Sequence, residues 1–332
     1  MEQKETPPRQ EGPNRAVSTH RNNRSAVANS KIRLIGDGLP AHKAEVAPLL
    51  LQPQWSSTDP DTRLYVGDSR DVLANLPDRG AVDLIFADPP FNWEVPYDGW
   101  SDDMTRIQYE RFTFDWIDRC VDALAPTGSM WVNIPDDTAA EVVMHLKRRD
   151  MTMVNWCVWH FRFGQCRDSS FIMSKVHALY FCKGGTRTWN PDEILEVSDR
   201  ASIYGDKRTM EKDSNKGKRV PMDVWYGKFW GRVQGNNKER RPGHQNQIPE
   251  AYLERVILAC SNEGDLVLDP FAGSGTTGTV ARAYGRRSIG IEQSEKTAAS
   301  AWERITETGM CRQGAALGQS SAIFSKRGGL KS

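Results

Sequence analysis

Apolar residues follow two patterns that alternate along most of the chain. Mainly apolar runs such as Val82–Ala87 (VDLIFA) are typical of strands buried in a parallel sheet. Other stretches space their apolar residues three or four apart, as in Tyr109–Leu124, which is typical of a helix with one buried face. Further strands are predicted at Arg63–Val66, Ser129–Ile134, Met153–Phe163, His177–Cys182, Leu266–Asp269 and Ser288–Glu292. Strands that alternate with helices predict an α/β fold, with helices on both faces of a sheet.

The two ends of the chain lack this alternation. Residues 1–60 are rich in Pro, Asn, Ser and Arg, and residues 311–332 contain four basic residues and no acidic one. These compositions predict a poorly ordered N-terminal tail and a basic C-terminal tail. Between the tails we predict one folded domain in two parts, residues 61–204 and 244–310.

The segment between these two parts is strongly basic. Residues 205–243 contain eleven Lys or Arg and five Asp or Glu, a net charge of +6, and four aromatic residues lie among them. This combination is typical of segments that contact nucleic-acid phosphates and exposed bases. A solvated loop with a small apolar cluster explains it equally well. The candidate phosphate-binding residues are Lys216, Lys218, Arg219, Arg240 and Arg241.

Composition narrows the class of protein. The 332 residues have 44 basic and 43 acidic side chains, a net charge of +1, which excludes a uniformly basic surface. No apolar run approaches the roughly 18 residues that span a bilayer, and the first 29 residues lack the apolar stretch of a signal peptide. Six scattered cysteines form no CxxC pair, which argues against a zinc site or a disulfide framework. We therefore expect a cytoplasmic protein without a metal and without a membrane segment.

A small-residue loop follows one predicted strand. In Leu266–Thr277 (LVLDPFAGSGTT) the strand ends in an acid, and the glycines allow close approach of a ligand to the backbone. The next strand ends in Glu292, where a carboxylate can accept hydrogen bonds from ribose hydroxyls. The pattern therefore predicts a ligand that contains adenosine. Glycines at 273, 275 and 278 also match G-x-G-x-x-G, so this loop alone leaves NAD open.

A second motif indicates a site for a ring that carries an exocyclic amino group. Val82–Ala87 is followed by Asp88, Pro89, Pro90 and Phe91. A carboxylate and a rigid backbone carbonyl can accept both protons of an exocyclic amino group, and an aromatic face can stack on the ring that carries it. A plain proline turn is the structural alternative.

These residues resemble a known family. Asp88–Phe91 resembles the D-P-P-Y/F/W catalytic motif of amino-group DNA methyltransferases, and Asp269–Thr277 is similar to their S-adenosylmethionine motif. Here the catalytic motif precedes the cofactor motif, which is the circularly permuted order of the β group. The resemblance covers Asp61–Ile305 and implies a Rossmann-like sheet. It makes 61–204 the catalytic half, 205–243 the target-recognition insert and 244–310 the cofactor-binding half.

The resemblance also implies roles for single residues. Asp68 matches the acid that receives the adenine amino group of the cofactor, and residues 244–249 (HQNQIP) resemble an H-P-x-Q-K-P stretch of the cofactor pocket. The sequence departs from that stretch at Gln245 and Ile248. The implied catalytic residues are Asp88, Pro89, Pro90 and Phe91. The implied cofactor-binding residues are Asp68, Ser69, His244, Gln247, Asp269, Phe271, Ala272, Gly273, Ser274, Gly275, Thr276 and Glu292.

The implied reaction is methyl transfer to the N6 amino group of adenine in double-stranded DNA. N4 of cytosine is the alternative, and Asp88 favours adenine because Asp in the first motif position goes more often with adenine in the family. None of the cysteines follows a proline, so we expect direct attack by the amino nitrogen without a covalent enzyme intermediate. An RNA or protein-glutamine methyltransferase and a nonenzymatic DNA-binding module are further alternatives. A homodimer and a cognate restriction endonuclease are left open as partners.

Overall fold

One mixed sheet organises the part of the chain that this computed structural model describes, namely residues 51–161, 168–207, 217–226, 232–233, 239–244 and 246–308. Within these residues the strands are β1 (Trp55–Thr58), β2 (Asp61–Val66), β3 (Val82–Ala87), β4 (Leu124–Ile134), β5 (Thr152–His160), β6 (Lys175–Cys182), β7 (Glu196–Val197), β8 (Lys218–Arg219), β9 (Val224–Trp225), β10 (Leu266–Asp269) and β11 (Arg287–Glu292). The helices are α1 (Ser69–Asn75), α2 (Arg106–Ala123), α3 (Asp136–Arg148), α4 (Asp199–Ser202), α5 (Glu250–Cys260), α6 (Thr276–Ala283) and α7 (Glu295–Glu307), with a 3-10 turn at Pro191–Ile194.

Nine of these strands form the main sheet, in the order β1-β2-β11-β10-β3-β4-β6-β5-β9. The five from β2 to β4 are parallel, and β1 and β6 run antiparallel to their neighbours. β10 and β11 therefore lie between β2 and β3, although they follow them by about two hundred residues. The parallel strands bring all of their carboxyl ends to one edge of the sheet, where α/β proteins bind ligands.

Helices cover both faces of the sheet, as the alternating pattern predicts. On one face α1, α2 and α3 pack against the strands, with Trp116 and Ile117 fully buried. On the other face α5 and α6 contribute Tyr252 and Val280 to a second cluster. The α/β class, with a central sheet between helices, is confirmed.

Local sequence signals set the ends of α2. Thr105 caps its amino end and exchanges hydrogen bonds with Gln108 in a capping box, which satisfies two free backbone groups. The next strand, β4, already begins at Leu124, five residues before its predicted start. It includes Gly128, where a Cβ would approach the Val82 carbonyl oxygen to 2.8 Å. The glycine is thus required by close packing of β4 on β3.

Two strands of the main sheet lie in segments that the sequence pattern assigns to the N-terminal tail and to the basic segment. β1 lies before Asp61 and pairs with β2, so the folded part begins earlier than the pattern of polar residues indicates. β9 lies inside the basic segment but joins the edge of the main sheet beside β5. Its Trp225 is buried against Trp131 and Tyr252, so this aromatic residue belongs to the core and does not face exposed bases. Much of this segment, like both tails, lies outside the described residues.

Two further features of the described residues concern membrane-spanning helices and cysteines. Among the helices that the structure describes, none combines the length and apolar character needed to cross a bilayer. Cys120, Cys157, Cys182 and Cys260 are free thiols buried in the core.

Candidate functional site

Four acidic residues lie side by side at the carboxyl edge of the sheet. Asp269 and Glu292 end β10 and β11, while Asp88 directly follows β3 and Asp68 lies two residues beyond β2. All four line a single cavity. The structure thus brings together the two motifs that are separated by nearly two hundred residues in the sequence.

The small-residue loop wraps around Asp269. One carboxylate oxygen accepts the Phe271 amide hydrogen at 2.9 Å, and the other accepts the Thr277 hydroxyl at 2.5 Å. Burial, together with the nearby Asp88 and Glu292 charges, raises the pKa of Asp269 to about 7. These two hydrogen bonds to Asp269 therefore fix the conformation of the loop.

Glycine is required where the loop enters α6. Gly275 has φ of 74°, which favours glycine, and a Cβ there would lie 3.0 Å from the Ala301 Cβ. Gly275 does not line the cavity, and its predicted contact with the cofactor stays a prediction. Its neighbours Gly273, Ser274 and Thr276 line the cavity.

Glu292 closes the loop from the adjacent strand. Its Oε2 accepts the Gly273 amide hydrogen at 2.9 Å and its Oε1 accepts the Ser294 amide hydrogen at 3.0 Å. Burial raises the pKa of this carboxyl group, and the two backbone amides oppose that shift. A carboxylate has four acceptor positions, so these amides leave room for a hydroxyl group of a ligand.

A buried arginine supports the same loop from the opposite side. Arg304 of α7 is 2% exposed and donates to the Ser274 carbonyl oxygen and to the Thr276 hydroxyl at 3.2 and 2.9 Å. Glu250 balances its charge at 2.7 Å. Sequence reasoning missed Arg304, because an arginine at helical spacing carries no motif.

Asp68 lines the cavity, but its carboxylate is engaged. It caps α1 by accepting the Arg70 amide hydrogen at 2.8 Å, and the Arg70 guanidinium binds both oxygens. These hydrogen bonds lower the pKa of Asp68 despite partial burial. Ser69 lies beside it on the cavity wall. The predicted contact of Asp68 with an adenine amino group stays a prediction.

The stretch before α5 forms another wall through His244, Gln247 and Ile248. Burial lowers the pKa of His244, and Arg304 adds to that effect. The Gln247 side-chain amide donates to the Glu239 carbonyl oxygen and accepts from the Arg241 amide, at 2.6 and 2.9 Å. Gln247 therefore links the stretch before α5 to the backbone at Glu239 and Arg241.

Asp88 is held by two residues that sequence reasoning missed. Asn133 of β4 donates its side-chain amide to Asp88 Oδ1 at 3.0 Å, and the Tyr252 hydroxyl donates to Asn133 Oδ1 at 2.6 Å. Asn133 and Tyr252 are fully buried. Arg232 donates to Asp88 Oδ2 at 3.2 Å. A buried asparagine in a strand was the available signal, since a buried amide needs partners.

The rest of the Asp88–Phe91 motif is only partly exposed to the cavity. Pro90 lines it, whereas Pro89 and Phe91 do not. Phe91 is 6% exposed, because the Trp93 ring packs edge-on against it at 5.1 Å and the Arg232 guanidinium lies 5.6 Å from its centre. Phe91 is therefore covered in this conformation, and its predicted stacking on a target base stays a prediction.

A loop after the motif forms the outer wall of the cavity, and one buried carboxylate organises it. Asp102 accepts the amide hydrogens of Asn92, Trp93 and Val95 at 2.9 to 3.2 Å. Burial raises the pKa of Asp102, while the three amides oppose that shift. Tyr97 of the same loop faces the cavity.

The basic candidates are dispersed. Lys218 and Arg219 lie in the two-stranded ribbon β7–β8, where Arg219 pairs with Asp199 at 2.8 Å. Arg241 lies 3.5 Å from Glu307 of α7. Arg240 has a partner of its own, and Lys216 lies outside the described residues. The predicted contacts of these residues with DNA stay predictions.

Comparison with known protein families and sequences gives a consistent result. The N6/N4 DNA methylase family model matches residues 82–303. The DNA adenine methyltransferase YhdJ of Escherichia coli K12 is 36% identical over 242 residues, 68% of this chain and 76% of that protein. The type II methyltransferase M.HpaI of Haemophilus parainfluenzae is 30% identical over 74% of each chain. M.BamHI of Bacillus amyloliquefaciens is 31% identical, and the match spans 54% of its length.

Solved structures agree on the fold. The cytosine-N4-specific PvuII DNA methyltransferase superposes with a TM-score of 0.59 at 15% identity, covering 83% of this chain and 94% of that one. TTHA0409 of Thermus thermophilus, a DNA modification methylase by description, superposes with a TM-score of 0.50 at 25% identity, covering 74% and 95%.

Proposed function

Because the chain belongs to the N6/N4 DNA methylase family, we propose that it methylates the N6 amino group of adenine in double-stranded DNA, with S-adenosylmethionine as the methyl donor. The observation that carries this proposal is the single cavity at the carboxyl edge of the sheet. Asp88 of one motif and the loop and acids of the other both line it. A methyl donor and an amino group can therefore meet in one enclosed space.

The residues present fit the cofactor. Glu292 offers unused acceptor positions for ribose hydroxyls, and Phe271, Phe112 and Trp100 give the cavity an aromatic wall suited to adenine. When bound, S-adenosylmethionine supplies an electrophilic methyl group on a sulfonium. The loop from Asp269 to Thr276, supported by Arg304, would hold its adenosine and amino-acid parts.

Asp88 would activate the target amino group. The lone pair of this nitrogen is delocalised into the base, which makes it a weak nucleophile. Hydrogen bonds to the Asp88 carboxylate and the Pro89 carbonyl oxygen would localise that pair and direct it at the methyl group. As the nitrogen gains a methyl group it must lose a proton, and Asp88 is placed to accept it. Asn133 keeps the carboxylate oriented throughout.

Adenine is favoured over cytosine for two reasons. The motif begins with a carboxylate, and YhdJ, which is adenine-specific by name, is 36% identical to this chain. The likeness to the cytosine-specific PvuII enzyme rests on the fold alone. N4-methylcytosine is the second candidate product. Double-stranded DNA is the proposed partner and the cytoplasm the proposed location, and a homodimer or a cognate endonuclease stays a prediction.

The test is nucleoside mass spectrometry of DNA from cells that express the chain. We expect N6-methyladenine to appear with the wild type and to be lost with Asp88→Ala. Purified Asp88→Ala should transfer methyl groups at least about a hundredfold more slowly, while binding S-adenosylmethionine almost normally, because its partner is the base. Asp192→Ala, on an exposed turn, is the matched control. Methylation found on cytosine alone would contradict the adenine assignment, and an active Asp88→Ala would contradict the catalytic role.

A further inference from the structure

Both oxygens of the catalytic carboxylate already accept hydrogen bonds. Oδ1 receives the Asn133 amide at 3.0 Å, and Oδ2 receives the Arg232 guanidinium at 3.2 Å. Asn133 is a fixed part of β4 and is buried. Arg232 is different, because its long side chain reaches Asp88 from the basic segment and can rotate away without moving a strand.

Arg232 also covers the ring surfaces around Asp88. Its guanidinium carbon lies 5.6 Å from the centre of the Phe91 ring and 5.2 Å from that of Trp159. The same nitrogen that contacts Asp88 donates to the Asn246 carbonyl oxygen at 2.6 Å. Only 13% of the arginine side chain and 17% of the aspartate side chain are exposed. The guanidinium is therefore enclosed in the place where the proposed chemistry requires a base.

A guanidinium and the amino edge of a nucleobase have related shapes. Both are flat and delocalised, both carry N–H donors in the plane, and both favour aromatic faces. An adenine that donated its amino group to Asp88 and stacked on Phe91 would use the same acceptor group and the same ring. The two groups compete for one position.

We propose that Arg232 occupies the position of the target base and must leave Asp88 before a base can enter. The inference rests on the proposed function, since that function is what brings a base to Asp88. Breaking a partly buried ion pair adds to the free energy of inserting any base. Arg232 thus acts as an internal competitor that selects for DNA sites whose other contacts compensate for its release.

The experiment compares the full-length wild type with Arg232→Ala in methyl transfer to DNA. We expect the variant to keep a similar kcat and to show a KM for DNA that is lower by at least about fivefold, because exposed ion pairs contribute up to about that factor and this pair is less exposed. Arg119→Ala removes a partly exposed arginine from the surface of α2 and serves as the control, with unchanged KM. Cofactor binding by calorimetry checks that each variant is folded, and Arg232→Gln replaces Arg232→Ala if the latter is not.

Added guanidinium ions distinguish a competing role of Arg232 from a supporting role in the reaction. They should inhibit the variant in the first case and restore its activity in the second. At low millimolar concentration, far below the molar range that unfolds proteins, guanidinium should inhibit Arg232→Ala in competition with DNA and leave the wild type unaffected. Sodium chloride at equal ionic strength is the control. A kcat that falls about a hundredfold in Arg232→Ala, whether or not guanidinium restores it, would overturn the proposal, because Arg232 would then support the reaction itself. Guanidinium without effect on the variant would also overturn it. A wild type that transfers no methyl group would instead refute the proposed function.

Discussion

At the scale of single residues, the site depends on how buried carboxylates are satisfied. Asp269, Glu292 and Asp102 each accept backbone amide hydrogens, and each loses solvation that an ionised carboxylate would otherwise have. In all of these hydrogen bonds the donor is a backbone amide and not an arginine or lysine side chain. The three carboxylates shape the loops around the cavity through hydrogen bonds to the backbone.

This arrangement predicts a pH dependence of stability that comes from Asp269. Its pKa rises from an ordinary 3.8 to about 7 on folding, so the native state holds this proton more tightly than the unfolded chain. The stabilising contribution is fully present below about pH 4 and is lost as the pH rises through about 7. Asp269→Asn stays neutral throughout, so its free energy of unfolding should rise relative to the wild type between pH 4 and pH 8.

Urea unfolding at a series of pH values measures this difference. Asn75→Ala is the control, because it removes an exposed side chain that does not titrate, and its difference from the wild type should stay constant. Parallel pH curves for Asp269→Asn and the wild type would show that Asp269 titrates alike in both states.

At the scale of elements, β11 and the loop before α6 act as one unit. Glu292 at the end of β11 binds the Gly273 amide, and the Ala272 amide donates to the Ile291 carbonyl oxygen at 2.8 Å. The loop is therefore positioned by the neighbouring strand as well as by its own sequence.

We expect Glu292→Gln to weaken S-adenosylmethionine binding by about 1.5–3 kcal/mol, the contribution of hydrogen bonds to a charged acceptor. The substitution removes the negative charge of Glu292 and weakens the hydrogen bond that Glu292 accepts from the Gly273 amide. Calorimetry with the cofactor measures the effect, and affinity for DNA should not change. Glu295→Gln, exposed on α7, is the matched control. An unchanged dissociation constant would place the cofactor away from the end of β11.

The ribbon β7–β8 carries a separate expectation about DNA. If Lys218 and Arg219 bind phosphates, replacing both with alanine should flatten the slope of log affinity against log salt by about 0.9 for each phosphate that is no longer neutralised. Arg79→Ala, which lies before β3 at the opposite edge of the sheet, should leave the slope unchanged. A slope that is the same in all three proteins would mean that the ribbon does not face DNA, and that Arg219 serves only to bind Asp199.

At the scale of the whole molecule, the sequence predicts the sheet and the two motifs better than the contacts between them. Val82–Ala87 and Leu266–Asp269 are strands with the predicted bounds, because apolar runs ended by acids are local signals. Arg232 and Asn133 could not be predicted as partners of Asp88. They lie 144 and 45 positions away, and neither stands in a pattern that indicates a tertiary contact. The burial of Trp225 could not be predicted for the same reason, since only the finished sheet buries it.

The position of β10 and β11 between β2 and β3 also has a consequence for biosynthesis. The Leu266 amide bonds to an Asp83 carboxylate oxygen that was made 183 residues earlier. At about 5–20 residues per second, the ribosome needs roughly ten to forty seconds to bridge that distance. Throughout this time β2 and β3 each lack a neighbour on one side, and unpaired strand edges can join to those of other chains. β3, which ends just before Asp88, thus remains without its neighbour β10 until late in synthesis. Chaperones that shield nascent chains would therefore matter more for this protein than its size suggests.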